Sequence, residues 1–336
     1  MQKRACVLAL IVALALVSVP GCRKEAKEVV CYTAVDQEYA EQVFSAFEAE
    51  TGIHVLPVYD TEAAKTTGLV NRLVAEKNAP ACDVFWSNET TQMAVLAQQG
   101  ILDQLPEGAA DGILGRYRDP GGQWAGHAAR FRVLLVNTGA LTGPMPSSVM
   151  DLASDAYPEG SVGMAMPLFG TTAAHAAALY AMLGADRARS FYEQVHEAGV
   201  RIVDGNATVR DLVGQGVLQW GITDSDDALV GIKRGDPVSV VVPDQEGMGT
   251  LVIPSSVALV RGAPHADAAA RLVQFLLSAK VETMLMDAGY CQLSTRQEGG
   301  IAPLTGTSIK GMEVSADALQ HAVQTSQSDL AAIFGG

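Results

Sequence analysis

The chain has 336 residues, which is long enough for two domains of ordinary size. Its formal net charge of −14 argues against a nucleic-acid partner, because binding a phosphate backbone needs a basic protein face. After residue 22, no apolar run is long enough to predict a transmembrane helix. Length and charge together indicate a globular protein that neither binds nucleic acid nor spans a membrane.

The first 22 residues have the pattern of a secretory signal peptide. Lys3 and Arg4 precede an apolar run over residues 5–20, which is too short to span a bilayer as a stable helix. Gly21-Cys22 then completes a segment similar to a lipobox, in which the cysteine takes a lipid after cleavage, with a proline at an unusual position. We therefore expect a protein of the periplasm or cell surface, anchored to the membrane through a lipidated Cys22.

Three cysteines follow this segment: Cys31, Cys82 and Cys291. An odd number gives no disulfide framework. Cys31 and Cys82 fall on two predicted strands that can be neighbours. The sequence therefore allows either one disulfide bridge between them or buried free thiols. The cysteines and histidines show no spacing typical of a zinc site.

Apolar periodicity predicts alternating strands and helices along the rest of the chain. Strands are predicted over residues 28–34, 53–59, 83–86, 131–136, 161–166, 200–203 and 217–222, with extended segments at 237–242 and 250–260. Helices are predicted over residues 36–50, 63–76, 91–98, 172–183, 187–198, 208–214, 266–278, 282–288 and 315–332, and another begins near residue 228. Such alternation is typical of parallel sheets with crossover helices. The predicted fold class is α/β, and two α/β lobes on one exported chain suggest a two-lobed binding protein.

An acidic cluster follows the predicted strand 217–222. Before the next helical pattern lie two hydroxyl and three carboxyl residues: Thr223, Asp224, Ser225, Asp226 and Asp227. In open α/β sheets, ligands bind where strand ends and helix N-termini converge. The positive end of a helix there would offset part of the repulsion between the carboxylates. The ordinary alternative is an N-cap formed by Thr223 or Asp224, with the other acids solvated.

Polar residues also follow other predicted strands. Asp36 comes after the first strand, and Asn88 and Glu89 come after the third. Acidic oxygens favour a hard cation. The histidines show no metal-ligand pairing, and His175 is expected to pack in the core.

The second half of the chain carries anion-binding features. Gly170-Thr171-Thr172 opens a helix and offers bare backbone N–H groups and two hydroxyls, which suits a phosphate, carbonate or carboxylate. An ordinary threonine N-cap is the alternative. Asn206 opens a later helix and either joins this cradle or caps that helix. Arg130 and Arg132 share one face of a strand, and a guanidinium there would grip an oxyanion if that face meets the cleft.

Several segments resemble the ferric-ion-binding periplasmic proteins of ABC iron importers. They lie in matching order at residues 29–41 (VVCYTAVDQEYAE), 44–51, 65–76, 81–89 and 249–277. The resemblance implies two interleaved α/β lobes with a hinge and a ligand cleft between them. It places residues 28–130 and 250–300 in lobe 1, and residues 131–249 and 301–336 in lobe 2. It also implies a monomeric carrier, not an enzyme, that delivers a small ligand to an ABC permease in the inner membrane.

The same resemblance implies site residues. The family's usual iron ligands are a histidine, a glutamate and a tyrosine pair, and these positions hold Asp36, Asn88 with Glu89 beside it, and Ser225-Asp226 in this chain. The implied metal-binding residues of this branch without the tyrosine pair are Asp36, Asn88, Glu89 and Asp226. The implied anion pocket contains Thr171, Thr172, Asn206 and Arg130, and the candidate ligand-binding set is completed by Gly170, Thr223 and Asp224. The expected cargo is Fe³⁺ with carbonate or phosphate.

Two other functions are open. A carrier for an organic phosphate or phosphonate would use the anion cradle for the phosphorus group and the acids at 224–227 for an amine or hydroxyls. A secreted hydrolase would need two carboxylates with separated pKa values. The sequence has no nucleophile motif, metalloprotease spacing or cofactor fingerprint, so we expect a carrier.

Overall fold

The computed structural model describes residues 27–60, 66–297, 300–314 and 316–335. The predicted signal peptide and Cys22 lie outside these residues, as does the start of the helix predicted from residue 63. Within the described residues, we find no helix with both the length and the apolar character needed to cross a bilayer.

Strands and helices alternate as predicted, apart from a longer strand at residues 124–137 and two unpredicted short strands at residues 301–302 and 307–308. The strands are β1 (Glu28–Thr33), β2 (His54–Tyr59), β3 (Val84–Ser87), β4 (Trp124–Asn137), β5 (Val162–Ala165), β6 (Arg201–Val203), β7 (Trp220–Asp224), β8 (Val238–Val241), β9 (Val252–Leu259), β10 (Ile301–Ala302) and β11 (Thr307–Ser308). The helices are α1 (Gln37–Thr51), α2 (Thr67–Ala75), α3 (Thr91–Gln98), α4 (Gly170–Leu183), α5 (Ala185–Glu197), α6 (Asn206–Gly214), α7 (Ser225–Arg234), α8 (Ala266–Leu276), α9 (Ala279–Ala288) and α10 (Ala316–Phe334). Short 3-10 helices lie at Gly115–Tyr117 and Val149–Ala153. The predicted α/β class is confirmed.

The main sheet has two parallel ends joined through an antiparallel centre. Its strand order is β2-β1-β3-β9-β4-β7-β5-β6, and β8 pairs with β4. Strand β1 is parallel to β2 and β3, and β5 is parallel to β6 and β7. Strands β9 and β4 run antiparallel to their neighbours. The parallel ends follow from the strand–helix alternation, because parallel neighbours need a crossover connection.

Strand β4 is longer than predicted and joins the two ends. Its first half pairs with β9, and its second half pairs with β7 and β8. All of its residues are buried. Only residues 131–136 of this strand are predicted from the sequence, because the segment before them is rich in small residues and is covered on both faces. It therefore lacks the alternation of apolar and polar residues that marks a half-exposed strand.

Hydrophobic clusters cover the two ends of the sheet separately. At the β1–β3 end, α1, α8 and α9 pack around Phe44, Phe47 and Trp86. At the β5–β7 end, α4 and α5 pack around Tyr192 and Trp220, and α10 packs on α4 and α5. Strand β9 thus returns the chain to the first end, and α10 returns it to the second. The chain passes between the ends more than once, so the antiparallel centre holds them together.

The described cysteines, Cys31, Cys82 and Cys291, are buried free thiols. Of the two alternatives open in the sequence, the bridge between Cys31 and Cys82 is therefore not formed. Burial raises the pKa of all three thiols, so they stay neutral and behave as apolar core residues.

Close packing of β7 makes Gly221 a sensitive position. A Cβ atom there would lie 2.5 Å from Val209 Cγ1 and 2.7 Å from the Gly163 carbonyl oxygen. We expect Gly221→Ala to lower the free energy of unfolding by about 1–3 kcal/mol, because the backbone contact cannot relax easily. Urea unfolding measures this. The control is Gly115→Ala, whose Cβ would have no described atom within 4 Å and should change stability by less than about 0.5 kcal/mol. Equal losses in both variants would contradict the packing argument.

Candidate functional site

A cavity of about 190 Å³ lies where helices α4, α6 and α7 begin. Its lining includes most of the residues that the sequence singled out: Asp36, Asn88, Arg130, Gly170, Thr171, Thr172, Asn206, Asp224 and Asp226. It also includes the charged residues Glu38, Asp204, Arg210 and Asp227. These groups come together at strand ends and helix starts.

Two helix N-termini border the cavity. Helix α4 begins at Gly170, whose φ of 54° lies in the left-handed region that glycine tolerates best. Helix α6 begins at Asn206 after Gly205. Neither helix start receives a side-chain capping bond from its own N-cap residue within the described part of the chain. Residues of both helix starts line the cavity, so the positive ends of α4 and α6 adjoin its polar groups.

The carboxylate of Asp224 is the most heavily bonded group of the site. It accepts hydrogen bonds from Arg132 Nη1 at 2.6 Å and Thr171 Oγ1 at 2.7 Å, with longer bonds of 3.4 Å from Arg130 Nη1 and Asn206 Nδ2. Asp224 stands at the N-cap position of α7, but its side chain makes no capping bond to the described backbone. The interpretation of Asp224 as an ordinary N-cap is therefore wrong for its side chain.

Both arginines of β4 point to this group, as expected for alternate residues of one strand. Arg132 lies directly across from Asp224 in the β4–β7 register and is fully buried. Arg130 is 3% exposed and also donates to Asp226 Oδ2 at 3.1 Å and to the Asn88 carbonyl at 2.6 Å. Buried guanidinium groups need such partners, because an uncompensated buried charge is strongly destabilising.

Asp226 and Asp227 extend the acidic group. Asp226 is 5% exposed, and its Oδ1 atom is buried with no hydrogen-bond partner among the described residues. Asp227 accepts hydrogen bonds from Arg210 at 3.0 Å and Thr223 at 3.2 Å. One carboxylate oxygen from each of Asp224, Asp226 and Asp227 lies within 4.8 Å of the others. Such a cluster of oxygens is suited to a hard cation.

The three carboxyl groups have different protonation tendencies. Burial works against the ionised form of Asp224, but Arg132 and Arg130 outweigh it and hold the pKa below its ordinary value. Burial raises the pKa of Asp226 to about 6, helped by the charges of Asp224 and Asp36 and opposed by Arg130. Burial and the neighbouring Asp226 raise the pKa of Asp227 well above its ordinary range. Arg130 and Arg210 oppose these two shifts, but burial and the neighbouring carboxylates outweigh them.

Two predicted site residues do not face the cavity. Glu89 is buried, and its carboxylate accepts hydrogen bonds from the backbone N–H groups of Thr91 and Gln92, the latter at 3.2 Å. It therefore caps α3, and the structure does not bring it to the Asp226 cluster. Thr223 is not a lining residue, and its one hydroxyl hydrogen is shared between the Asn206 carbonyl at 3.1 Å and the Asp227 carboxylate at 3.2 Å. It points away from the cavity because successive residues of a strand face opposite sides.

Several functional residues were missed or not selected in the sequence. Arg132 was noticed beside Arg130 but not chosen, although their two-residue spacing places both on one strand face. Arg210 lies one helical turn after Asn206, and this spacing puts both on the same face of α6. Asp227 was not among the implied metal-binding residues, whereas it lines the cavity.

Comparison with known proteins places the chain among solute-binding proteins. A family model described as bacterial extracellular solute-binding protein matches residues 29–291. The iron uptake protein A1 of Synechocystis sp. is 25% identical over 279 residues, which cover 79% of this chain and 75% of that protein.

Solved structures share the fold. Iron-bound HitA from Pseudomonas aeruginosa superposes with a TM-score of 0.77 at 19% identity, covering 92% of this chain and 99% of HitA. AfuA from Actinobacillus pleuropneumoniae with bound fructose-6-phosphate also gives 0.77, at 20% identity, covering 90% of this chain and 98% of AfuA. The predicted two-lobed periplasmic-binding-protein fold is confirmed. The two structures hold different ligands and match equally well, so the fold alone does not select the ligand.

The raised pKa of Asp226 makes a prediction about stability. Because the folded protein holds this proton more tightly than the unfolded chain, the contribution of Asp226 to the free energy of unfolding falls as pH rises from about 4 to about 6. Asp226→Asn removes the ionisation. We expect the variant to exceed the parent protein in stability by about 1–3 kcal/mol at pH 7, and by much less at pH 4.

Urea unfolding of metal-free protein at several pH values measures this difference. The control is Asp204→Asn, which removes the same charge from an exposed position of the cavity lining and should give no comparable gain. An Asp226→Asn variant that is no more stable than the parent at pH 7 would contradict the prediction.

Proposed function

The chain belongs to the bacterial extracellular solute-binding protein family, and from this premise we propose that it is the solute-binding component of an ABC importer whose cargo is ferric iron. Members of this family bind and carry solutes, and a secreted hydrolase has no support from the site. The similarity to an iron uptake protein and to the iron-bound HitA fold is consistent with this cargo.

The observation that carries the iron proposal is the unpaired carboxylate oxygen of Asp226. A buried oxygen with no partner among the described residues, beside the carboxylates of Asp224 and Asp227, costs free energy unless a cation binds it. Six acidic residues and two arginines line the cavity, so its charge also favours a cation. Ferric iron is a hard cation that takes oxygen ligands. Asp226, Asp227 and Asp36 would hold it.

We place the ligand between two lobes that close on it. In this proposal residues 28–130 and 250–300 form lobe 1, and residues 131–249 and 301–336 form lobe 2. Arg130 supports the idea, because it contacts the Asn88 carbonyl from the first end of the sheet and Asp226 from the second. Closure over the cargo would create the form that a membrane permease recognises.

The proposal includes export and anchoring. The signal-peptide pattern and the lipobox-like segment ending in Cys22 support a periplasmic, lipid-anchored carrier. We expect a monomer that meets an ABC permease in the inner membrane. The positions of Asp36 and Asp226 in the same cavity support the implied metal-binding set, while Asn88 lines the cavity and Glu89 does not.

A carrier for an organic phosphate or phosphonate is the second candidate. It is favoured by the N-termini of α4 and α6 beside the cavity and by the likeness to AfuA with fructose-6-phosphate. It is opposed by the acidic lining. The hydroxyl, amide and guanidinium groups that would bind a phosphate, those of Thr171, Asn206 and Arg130, are bonded to Asp224.

Native mass spectrometry of the chain without its first 22 residues tests the cargo. We expect a mass excess that matches one iron per chain after purification without chelators.

Asp226→Asn should lower the affinity for ferric iron, delivered as a citrate chelate, by at least about tenfold, because it removes a charged oxygen ligand while preserving the shape of the side chain.

The control is Asp267→Asn in the first turn of α8, an exposed acid outside the cavity lining, which should bind iron as the parent does. A mass excess that matches an organic phosphate without metal would contradict the iron proposal and support the second candidate.

A further inference from the structure

Asp224 occupies the place at which an oxyanion would bind. Its carboxylate lies against the starts of α4 and α6, through Thr171 and Asn206, and against both buried arginines of β4. A helix N-terminus with hydroxyl, amide and guanidinium donors is the usual composition of a phosphate or carboxylate site. In this protein the anion in that site belongs to the chain itself.

The charges balance within this group. Arg130 and Arg132 bring two positive charges, and Asp224 and Asp226 bring two negative ones. An external anion added here would leave an excess of buried negative charge, which is unfavourable in a low-dielectric interior. The bond lengths agree with this balance, since the contacts of Asp224 with Arg132 and Thr171 are the short, charge-assisted kind.

Asp224 does not use all the hydrogen-bond donors of the two guanidinium groups. Arg132 is fully buried and uses only Nη1, and its Nε and Nη2 atoms have no partner within the described residues. The Nε atom of Arg130 is likewise buried and unpaired in the described chain. If the Asp224 carboxylate were removed, Arg132 would lose its counter-ion and Arg130 would keep only Asp226.

We propose that Asp224 is a built-in anion that fills the oxyanion site of the cavity. We infer further that the protein binds its cargo cation without an external carbonate or phosphate. This second part rests on the proposed function. Asp224 uses both of its oxygens on the cradle, whereas Asp226 keeps a free oxygen for the cation. Asp224 is thus a specificity-determining residue, which together with Asp226 neutralises the two arginines and excludes free oxyanions.

The first experiment uses metal-free protein and does not depend on iron. Calorimetry measures the binding of formate, bicarbonate and inorganic phosphate to the parent protein and to Asp224→Ala. Formate and bicarbonate are planar and match the deleted carboxylate in shape, and the adjoining cavity leaves room for phosphate. We expect no measurable binding of these anions to the parent protein. The variant should bind them at least ~10- to 100-fold more tightly, because two or three charge-assisted hydrogen bonds become available.

Asp204→Ala is the matched control, since it removes one negative charge from the same cavity lining but contacts none of the four donors. It should bind these anions as weakly as the parent. Circular dichroism and urea unfolding establish that each variant is folded. Should Asp224→Ala fail to fold, the parent protein still decides the matter, because binding of an oxyanion in its cavity with Asp224 intact would overturn the proposal. A folded Asp224→Ala that binds none of the three anions would overturn it as well.

The second experiment adds ferric iron. The affinity of the parent protein for iron should be the same in buffer freed of carbonate and phosphate as in buffer that contains them. The affinity of Asp224→Ala should fall and recover by about tenfold or more when formate or bicarbonate is added. A parent protein that needs an added anion for iron binding would overturn the proposal. A parent protein that binds no iron at all would refute the iron cargo, while the metal-free experiment would still decide the role of Asp224.

Discussion

Compensation of buried charge around Asp224 is the constraint on which the site depends. Arg132 is fully buried, and leaving such a group without its partner costs about 3–5 kcal/mol. The β4–β7 register places Arg132 opposite Asp224, and the starts of α4 and α6 supply the remaining donors. A shift of one residue in that register would turn Arg132 to the other face of the sheet. The acidic cluster therefore holds its geometry only because the surrounding elements meet in this one arrangement.

Strand β4 links this group to the rest of the molecule. It carries both arginines, pairs with β9 at one end of the sheet and with β7 at the other, and so connects the cavity to both hydrophobic cores. The pairing of β4 with β9 is interrupted by a bulge at Ala128, a non-glycine residue with a φ of 53°. The Ala128 N–H group donates to the buried carboxylate of Glu282 at 3.1 Å. That bond satisfies a backbone group that the bulge would otherwise leave unpaired, which offsets part of the strain.

The chemistry of the site is decided locally, at the start of α7. Structures with bound iron and with a bound sugar phosphate match this fold equally well, so the backbone arrangement accommodates both. In this chain a run of carboxylates follows β7. Asp224 and Asp226 balance Arg130 and Arg132, Asp227 pairs with Arg210, and the other acidic residues of the lining leave the cavity with excess negative charge. The donors of the anion cradle thus lie in an acidic cavity, where an internal carboxylate takes up their hydrogen bonds.

By itself, the sequence determined the α/β class, the alternation of strands and helices, and the position of the cavity at the strand ends. These follow from local periodicity and from the rule that strand ends and helix starts converge. It could not show the full length of β4, since a small-residue strand covered on both faces has no alternation to detect. It also suggested Glu89 as a ligand, but the Glu89 carboxylate accepts a backbone hydrogen bond at the start of α3.

Only the tertiary structure decided what each polar residue contacts. Arg132 and Asp224 are 92 positions apart in the chain, and their pairing depends on strand order and register, which local patterns do not encode. The conversion of the anion cradle into a partner for Asp224 likewise needs four elements brought together by packing. Sequence patterns report which groups are available near a strand end, whereas the three-dimensional register decides which of them remain free to bind a ligand.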